Sequence, residues 1–125
     1  MNTYDPNSGH SPEEWLLLDE SERIGLIVLF HENSDEPVPE NSWYLHASIH
    51  CVIENQIALE LENVAETVDK LVRQGLSRHE AVHALGAVFG ENIFAMMKSK
   101  MPFNPKQHRR RLSKLTAKRW LKGKY

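Results

Sequence analysis

The sequence predicts an all-α fold, a small bundle of about four main helices with a basic C-terminal extension. Two segments, SPEE at residues 11–14 and SRHE at residues 77–80, have the serine and glutamate spacing of a helix capping box. Apolar residues between them recur three and four positions apart, as in Leu61, Val64, Val68, Leu71 and Val72. The apolar run at residues 26–30 has no second strand to pair with, so a helix is favoured there. A chain of 125 residues is long enough for one domain.

The first helix should begin at Ser11, with Pro12 in its first turn and Glu14 completing the cap. The residues before it look disordered. The helix is expected to reach about His31, and a break near Asp19 stays open. Residues 32–42 contain acidic residues and two prolines and are predicted to form a loop.

The remaining three helices follow in order. The second should run from about residue 43 to residue 59, and the third should cover the apolar repeat and end at Gly75. Ser77 and Glu80 cap the fourth helix, which should end near Lys100, before two prolines.

The C-terminal segment carries nearly all of the positive charge. Residues 1–91 hold all 17 acidic side chains and four basic ones, whereas residues 92–125 hold 11 basic and no acidic side chains. This charge density and the lack of an apolar stripe predict no packed element over residues 106–124. The sequence thus divides into a helical metal-binding domain, 11–101, and a mobile basic tail, 102–125.

The tail has three candidate roles. It could bind nucleic acid through phosphate contacts and aromatic stacking, dock on its own acidic body, or contact an acidic partner or membrane surface. The nucleic-acid hypothesis involves Arg109, Arg110, Arg111, Lys114, Lys118, Arg119 and Trp120.

The compartment is expected to be the cytoplasm. The single cysteine, Cys51, allows no disulfide within the chain. The polar, acidic start lacks the pattern of a signal peptide, and no apolar run approaches the ~20 residues of a membrane span.

Two histidine pairs are the strongest functional signal. His46 and His50 lie four apart on the second helix, and His79 and His83 lie four apart on the fourth. Side chains at this spacing share a helix face, and the apolar neighbours of both pairs direct them to the core. Because buried imidazoles need partners, the pairs predict a metal site between the two helices, with Glu54 as a further ligand or as an acceptor that orients an imidazole.

Imidazole ligands without thiolate suit zinc, iron, nickel or copper, with zinc the first candidate and iron the second. Gly86 and Gly90, on the same stripe as His79 and His83, indicate a close approach by another helix or a ligand. The alternative is that the histidines are structural, each hydrogen-bonded within the core.

The segment HEAVH, residues 79–83, also matches the H-E-x-x-H motif of zinc hydrolases, in which the glutamate activates a metal-bound water. It resembles the metzincin motif as far as Gly86, but Phe89 stands where those proteases have their third histidine. Glu80 would be the general base of such a hydrolase. Because Glu80 is also explained as a helix cap, non-catalytic metal binding is favoured over hydrolysis.

Two segments, LHASIHCVIENQIAL and RHEAVHALGAVFGENIF, resemble a small bacterial family catalogued as a domain of unknown function (DUF1841). The family has a comparable H-x-x-x-H segment followed by Glu and Gln, and then H-E-A-x-H-A and a Gly-Glu pair. The corresponding residues here are His46, His50, Glu54, Gln56, His79, Glu80, His83, Gly90 and Glu91. The resemblance covers residues 44–95 and implies a bacterial helical protein without implying an activity.

Overall fold

A computed structural model describes residues 1–34 and 43–124, with the side chain of residue 43 left out. These ranges contain helices and no strand, which confirms the all-α prediction. The helices are α1 (Pro12–Leu17), α2 (Glu20–Glu32), α3 (Trp43–Ala58), α4 (Val64–Arg73), α5 (Arg78–Ser99), α6 (Pro105–Lys114) and α7 (Ala117–Leu121). Most of the predicted loop, residues 35–42, lies outside the described residues. No helix in the described ranges is both long enough and apolar enough to cross a bilayer.

Local capping fixes where the helices begin. Ser11 and Ser77 each accept a hydrogen bond from the backbone N–H three residues later, at the starts of α1 and α5. Asp19 and Glu22 form a complete capping box, which ends the first helical segment and opens α2. The break near Asp19 is therefore present, and the apolar run at residues 26–30 is helical, as predicted.

Helix α3 lies at the centre and packs against α1, α2, α4 and α5. Its approach to α5 is close at Gly86, where a Cβ atom would lie 3.1 Å from Ile49 Cγ2. At Gly90 the corresponding distance to Ile49 Cδ1 is an ordinary 3.9 Å. The close approach expected from the two glycines is thus found at Gly86, and it brings the histidines of α3 towards those of α5.

The N-terminal segment is packed against the bundle, so the expectation of a disordered start is wrong. Tyr4 and Pro6 are buried, and the Tyr4 ring lies against Trp15 with centroids 5.5 Å apart. The sequence gives no sign of this because a lone buried tyrosine among polar residues has no periodicity.

The basic tail also contains packed elements, contrary to the sequence prediction. Leu112, Leu115 and Ala117 are buried in one apolar cluster with residues of α3, α4 and α5. Lys70 Nζ donates to the carbonyl of Leu112 at 3.2 Å, and Gln74 Oε1 accepts from the backbone N–H of Ala117 at 2.9 Å. Leu112 lies on α6, Leu115 follows the end of α6, and Ala117 begins α7, so no single apolar stripe marks them in the sequence.

We expect Leu112→Ala to reduce the free energy of unfolding by about 2–5 kcal/mol, because it leaves a cavity in the core. Leu112 is 2% exposed, whereas Leu121, also in the tail, is 73% exposed. The matched substitution Leu121→Ala should change stability by no more than about 0.5 kcal/mol. Urea denaturation monitored by circular dichroism measures both. Equal stabilities would show that the tail is not part of the core.

Candidate metal centre

Four histidines from three helices converge at one point in the protein. They are His31 of α2, His50 of α3, and His79 and His83 of α5, and one ring nitrogen of each lies within 4.8 Å of the others. In a tetrahedral site with bonds of 2.0–2.1 Å the ligand nitrogens are about 3.4 Å apart, so a bound ion would draw the more distant nitrogens inward. Three of the four residues are buried and His83 is half-buried. The cluster could hold a metal ion.

His31 enters this group although the sequence assigned it no metal role. Its Nδ1 lies 2.8 Å from the carbonyl oxygen of Ile27, which can only accept a hydrogen bond. Nδ1 therefore carries the proton, and Nε2 offers a lone pair to the cluster. The sequence signal was weak because His31 has no histidine partner on its own helix face.

His50 is oriented by a chain of buried polar groups. The Tyr4 hydroxyl donates to Glu54 Oε2, and His50 Nε2 lies 2.6 Å from the same hydroxyl oxygen. His50 Nε2 must then be the donor to Tyr4, which leaves its Nδ1 as a lone-pair donor. Nδ1 is buried and has no hydrogen-bond partner in the structure.

His83 Nε2 is likewise buried without a hydrogen-bond partner. A buried polar atom left unpaired costs about 1–3 kcal/mol, so two such nitrogens on one cluster need an explanation. A cation bound by both lone pairs would explain why these two nitrogens lack hydrogen-bond partners. The donor set, neutral imidazoles with fixed tautomers at His31 and His50, fits a transition-metal ion.

His46, predicted as a ligand, lies at the edge of the cluster. Its Nε2 is 3.1 Å from His31 Nε2, and since that atom is an acceptor, His46 donates the hydrogen bond. The ring of His46 is also close to that of His83, with centroids 4.8 Å apart. The structure groups His31, rather than His46, with the three other histidines.

Glu54, predicted as a further ligand or an orienting acceptor, lies beside the cluster and not in it. Its fully buried carboxylate accepts two hydrogen bonds of 2.8 Å from the guanidinium of Arg78, in addition to that from Tyr4. His10 Nε2 lies 3.7 Å from Glu54 Oε1, with only 9% of the His10 side chain accessible. Glu54 thus acts on His50 through Tyr4.

Glu80, the glutamate of the HEAVH motif, is directed towards α7. Its backbone N–H donates a hydrogen bond to Ser77 Oγ in the helix cap. Its Oε2 accepts a hydrogen bond of 2.7 Å from the indole N–H of Trp120. Neither contact is with a histidine of the cluster. The spacing on α5 explains this, since Glu80 is about 100° around the helix from His79.

Three histidines in and beside the cluster, His46, His50 and His83, have lowered pKa values that keep their imidazoles neutral at physiological pH. Burial, and secondarily repulsion by neighbouring histidines, lowers the pKa of His46 to about 4 and that of His83 to about 3. The same causes lower the pKa of His50 well below its ordinary value. Neutral imidazoles keep the lone pairs that metal coordination requires.

Comparison with known proteins identifies the family but no activity. The model of Domain of unknown function (DUF1841) matches residues 12–114, which is more than half of the chain, and the chain therefore belongs to this family. The match extends the resemblance found over residues 44–95 to α1 and α6. Comparisons with curated proteins and with solved structures give no significant match.

The metal-free protein should lose stability as the pH falls from about 7.5 to 5.5. Unfolded histidines have a pKa near 6.5 and bind protons in this range, whereas His46 and His83, with folded pKa values of about 4 and about 3, do not. The unfolded state therefore takes up more protons, and stability rises with pH across this window.

Urea midpoints of chelator-treated protein at the two pH values would measure the effect. A double variant, His46→Leu with His83→Leu, should show a smaller pH dependence. A wild-type midpoint that is equal or higher at pH 5.5 would contradict burial of neutral imidazoles.

Proposed function

We propose that this member of the DUF1841 family binds one divalent transition-metal ion through His31, His50, His79 and His83. The observation that carries the proposal is the convergence of four imidazoles in which His50 Nδ1 and His83 Nε2 are buried without hydrogen-bond partners. Two helices supply one ligand each and α5 supplies two, at the i, i+4 spacing used in metal-binding helical bundles.

Zinc is the first candidate for the ion and iron the second. Four neutral nitrogens in a buried, four-coordinate arrangement match the tetrahedral preference of zinc. His46, whose Nε2 is 3.1 Å from that of His31, is a possible fifth ligand for a metal with a higher coordination number, such as iron or nickel. Metal binding by His31 Nε2 uses the lone pair that accepts this hydrogen bond, so His46 must give the bond up. The choice of metal then depends on whether His46 also binds the ion.

The surrounding polar groups support the ligands. Arg78 donates hydrogen bonds to Glu54, Glu54 accepts a hydrogen bond from the Tyr4 hydroxyl, and that hydroxyl oxygen accepts one from His50 Nε2. Such hydrogen bonds fix the tautomer of a ligand histidine and raise its basicity. The Ile27 carbonyl has the same role for His31.

Metal-dependent hydrolysis with Glu80 as general base is a weaker alternative. A base must reach the metal-bound water, and the Glu80 carboxylate is engaged by the Trp120 indole. Only a rotation that breaks this 2.7 Å hydrogen bond would free it. Glu80 is better explained as the residue that attaches α7 to α5.

Nucleic-acid binding by the tail is a second, weaker alternative. Arg110, Lys114, Lys118 and Arg119 are exposed and available to phosphates. The other three candidates have partners within the protein: Arg109 lies 3.9 Å from Glu62, Arg111 donates to Asn92, and Trp120 donates to Glu80. With the Trp120 indole engaged by Glu80, the tail retains charge but has less capacity for base stacking.

Protein purified without an affinity tag should bind one equivalent of Zn²⁺, as measured by elemental analysis and by competition with a chelator. His31→Ala should weaken binding by more than about 100-fold, because loss of a ligand exceeds the 10–100-fold loss typical of a supporting residue. His46→Ala should weaken it by about tenfold or less.

His108→Ala provides a control, because His108 is a half-buried histidine that contacts Asn92 away from the cluster. The affinity of the His108→Ala variant for Zn²⁺ should equal that of the wild type. Protein that binds none of zinc, iron, nickel and copper would disprove the proposal, and a larger effect at His46 than at His31 would disprove the ligand set.

Tyr4→Phe should lower the affinity for Zn²⁺ by about 10–100-fold while leaving the stoichiometry at one. The substitution removes the hydroxyl that orients His50 and leaves the ring packing intact. Tyr44→Phe is the matched control, since Tyr44 is 73% exposed. Equal affinities in the two variants would show that the Tyr4 hydroxyl does not support the ligand.

A further inference from the structure

A cavity of about 290 Å³ adjoins the histidine cluster and opens at the surface. Its volume is near the lower end of the ~300–1,000 Å³ range of ligand pockets. Two cluster histidines and the neighbouring His46 form one end, and apolar residues of α3 and α5 with the indole of α7 form the rest. The lining residues are His46, Ile49, His50, Val82, His83, Gly86, Ala87 and Trp120.

The cavity follows the groove between α3 and α5, away from the cluster. His83, Gly86 and Ala87 lie along one face of α5, so the cavity extends about one helical turn beyond the histidine. Gly86 contributes no side chain to this groove, and a Cβ atom there would lie 3.1 Å from Ile49 Cγ2. Trp120, held by Glu80, forms a wall.

The charge of a loaded site would favour an anion at the histidine end. Four neutral imidazoles leave the two positive charges of a divalent ion uncompensated, and such charge is costly away from water. The nearby Glu54 carboxylate is already paired with Arg78. No charged side chain is among the described residues that line the cavity, so compensation there would have to come from an external ligand.

We infer that this cavity binds a small monoanion with an apolar tail, of the class of short-chain carboxylates. The carboxylate would add a fifth donor to the metal beside the four histidines, on the side between His50 and His83 that faces the cavity. The tail would lie between Ile49, Ala87 and Trp120. The inference rests on the metal site of the proposed function. It adds to that site a ligand class that the four histidines alone do not define.

The test uses the full-length protein loaded with Co²⁺, whose visible absorption reports changes in coordination. Acetate, butyrate and hexanoate are titrated in turn, with 1-hexanol and hexylamine as neutral and cationic controls. Each added methylene should tighten binding by up to about fourfold until the cavity is filled, because each is removed from water. The neutral and cationic controls should leave the cobalt spectrum unchanged.

Two cavity variants locate the binding site, and one further variant serves as a control. Ala87→Leu narrows the cavity without altering a histidine. It should abolish the increase in affinity from acetate to hexanoate. Trp120→Ala removes one wall of the cavity and should weaken the binding of hexanoate but not that of acetate. The matched control, Ala95→Leu, lies on an exposed part of the same helix and should behave as the wild type. All three should bind one equivalent of Co²⁺.

The outcomes separate this inference from the proposed function. Stoichiometric Co²⁺ binding with carboxylate affinities that do not depend on chain length would overturn the ligand class and leave the metal site intact. The same holds if Ala87→Leu and Ala95→Leu respond alike. Absence of Co²⁺ and Zn²⁺ binding would overturn the proposed function and this inference with it.

Discussion

The buried carboxylate of Glu54 is the constraint on which the site region depends. A fully buried charge is tolerated only with a close partner, and Arg78 provides one through two hydrogen bonds of 2.8 Å. This pair joins α3 to the first residue of α5. Arg78 also donates to the carbonyl of Pro6, and Tyr4 donates to Glu54, so the N-terminal segment is fixed to the same point. The orientation of His50 follows from this arrangement through Tyr4.

The histidine cluster departs from the usual rules of core packing. Buried side chains are normally apolar or fully hydrogen-bonded, yet His50 and His83 each leave a ring nitrogen without a hydrogen bond. A protein tolerates such a departure at a functional site and compensates for it elsewhere. The compensation here comes from two apolar clusters: one around Trp15 and Ile27, the other around Leu71 and Leu85. These clusters hold the helices, and with them the histidines, in place.

The C-terminal segment combines a structural and a surface role. Leu112 and Leu115 complete the second apolar cluster, while the basic side chains of α6 and α7 face largely outward. The same segment brings Trp120 to the cavity beside the histidines, where Glu80 fixes the indole. The glutamate of the HEAVH motif therefore connects the tail to the site, a role that its resemblance to a hydrolase motif does not suggest.

The sequence by itself determined the features that depend on neighbours within one helix. Capping residues at Ser11 and Ser77 predicted helix starts, and the i, i+4 spacing predicted that each histidine pair shares a face. The tertiary structure decided which elements meet: His31 joins the cluster, and Tyr4 reaches Glu54 across 50 residues. The physical reason is that local periodicity fixes the faces of a helix, whereas partners between helices depend on how the whole bundle packs.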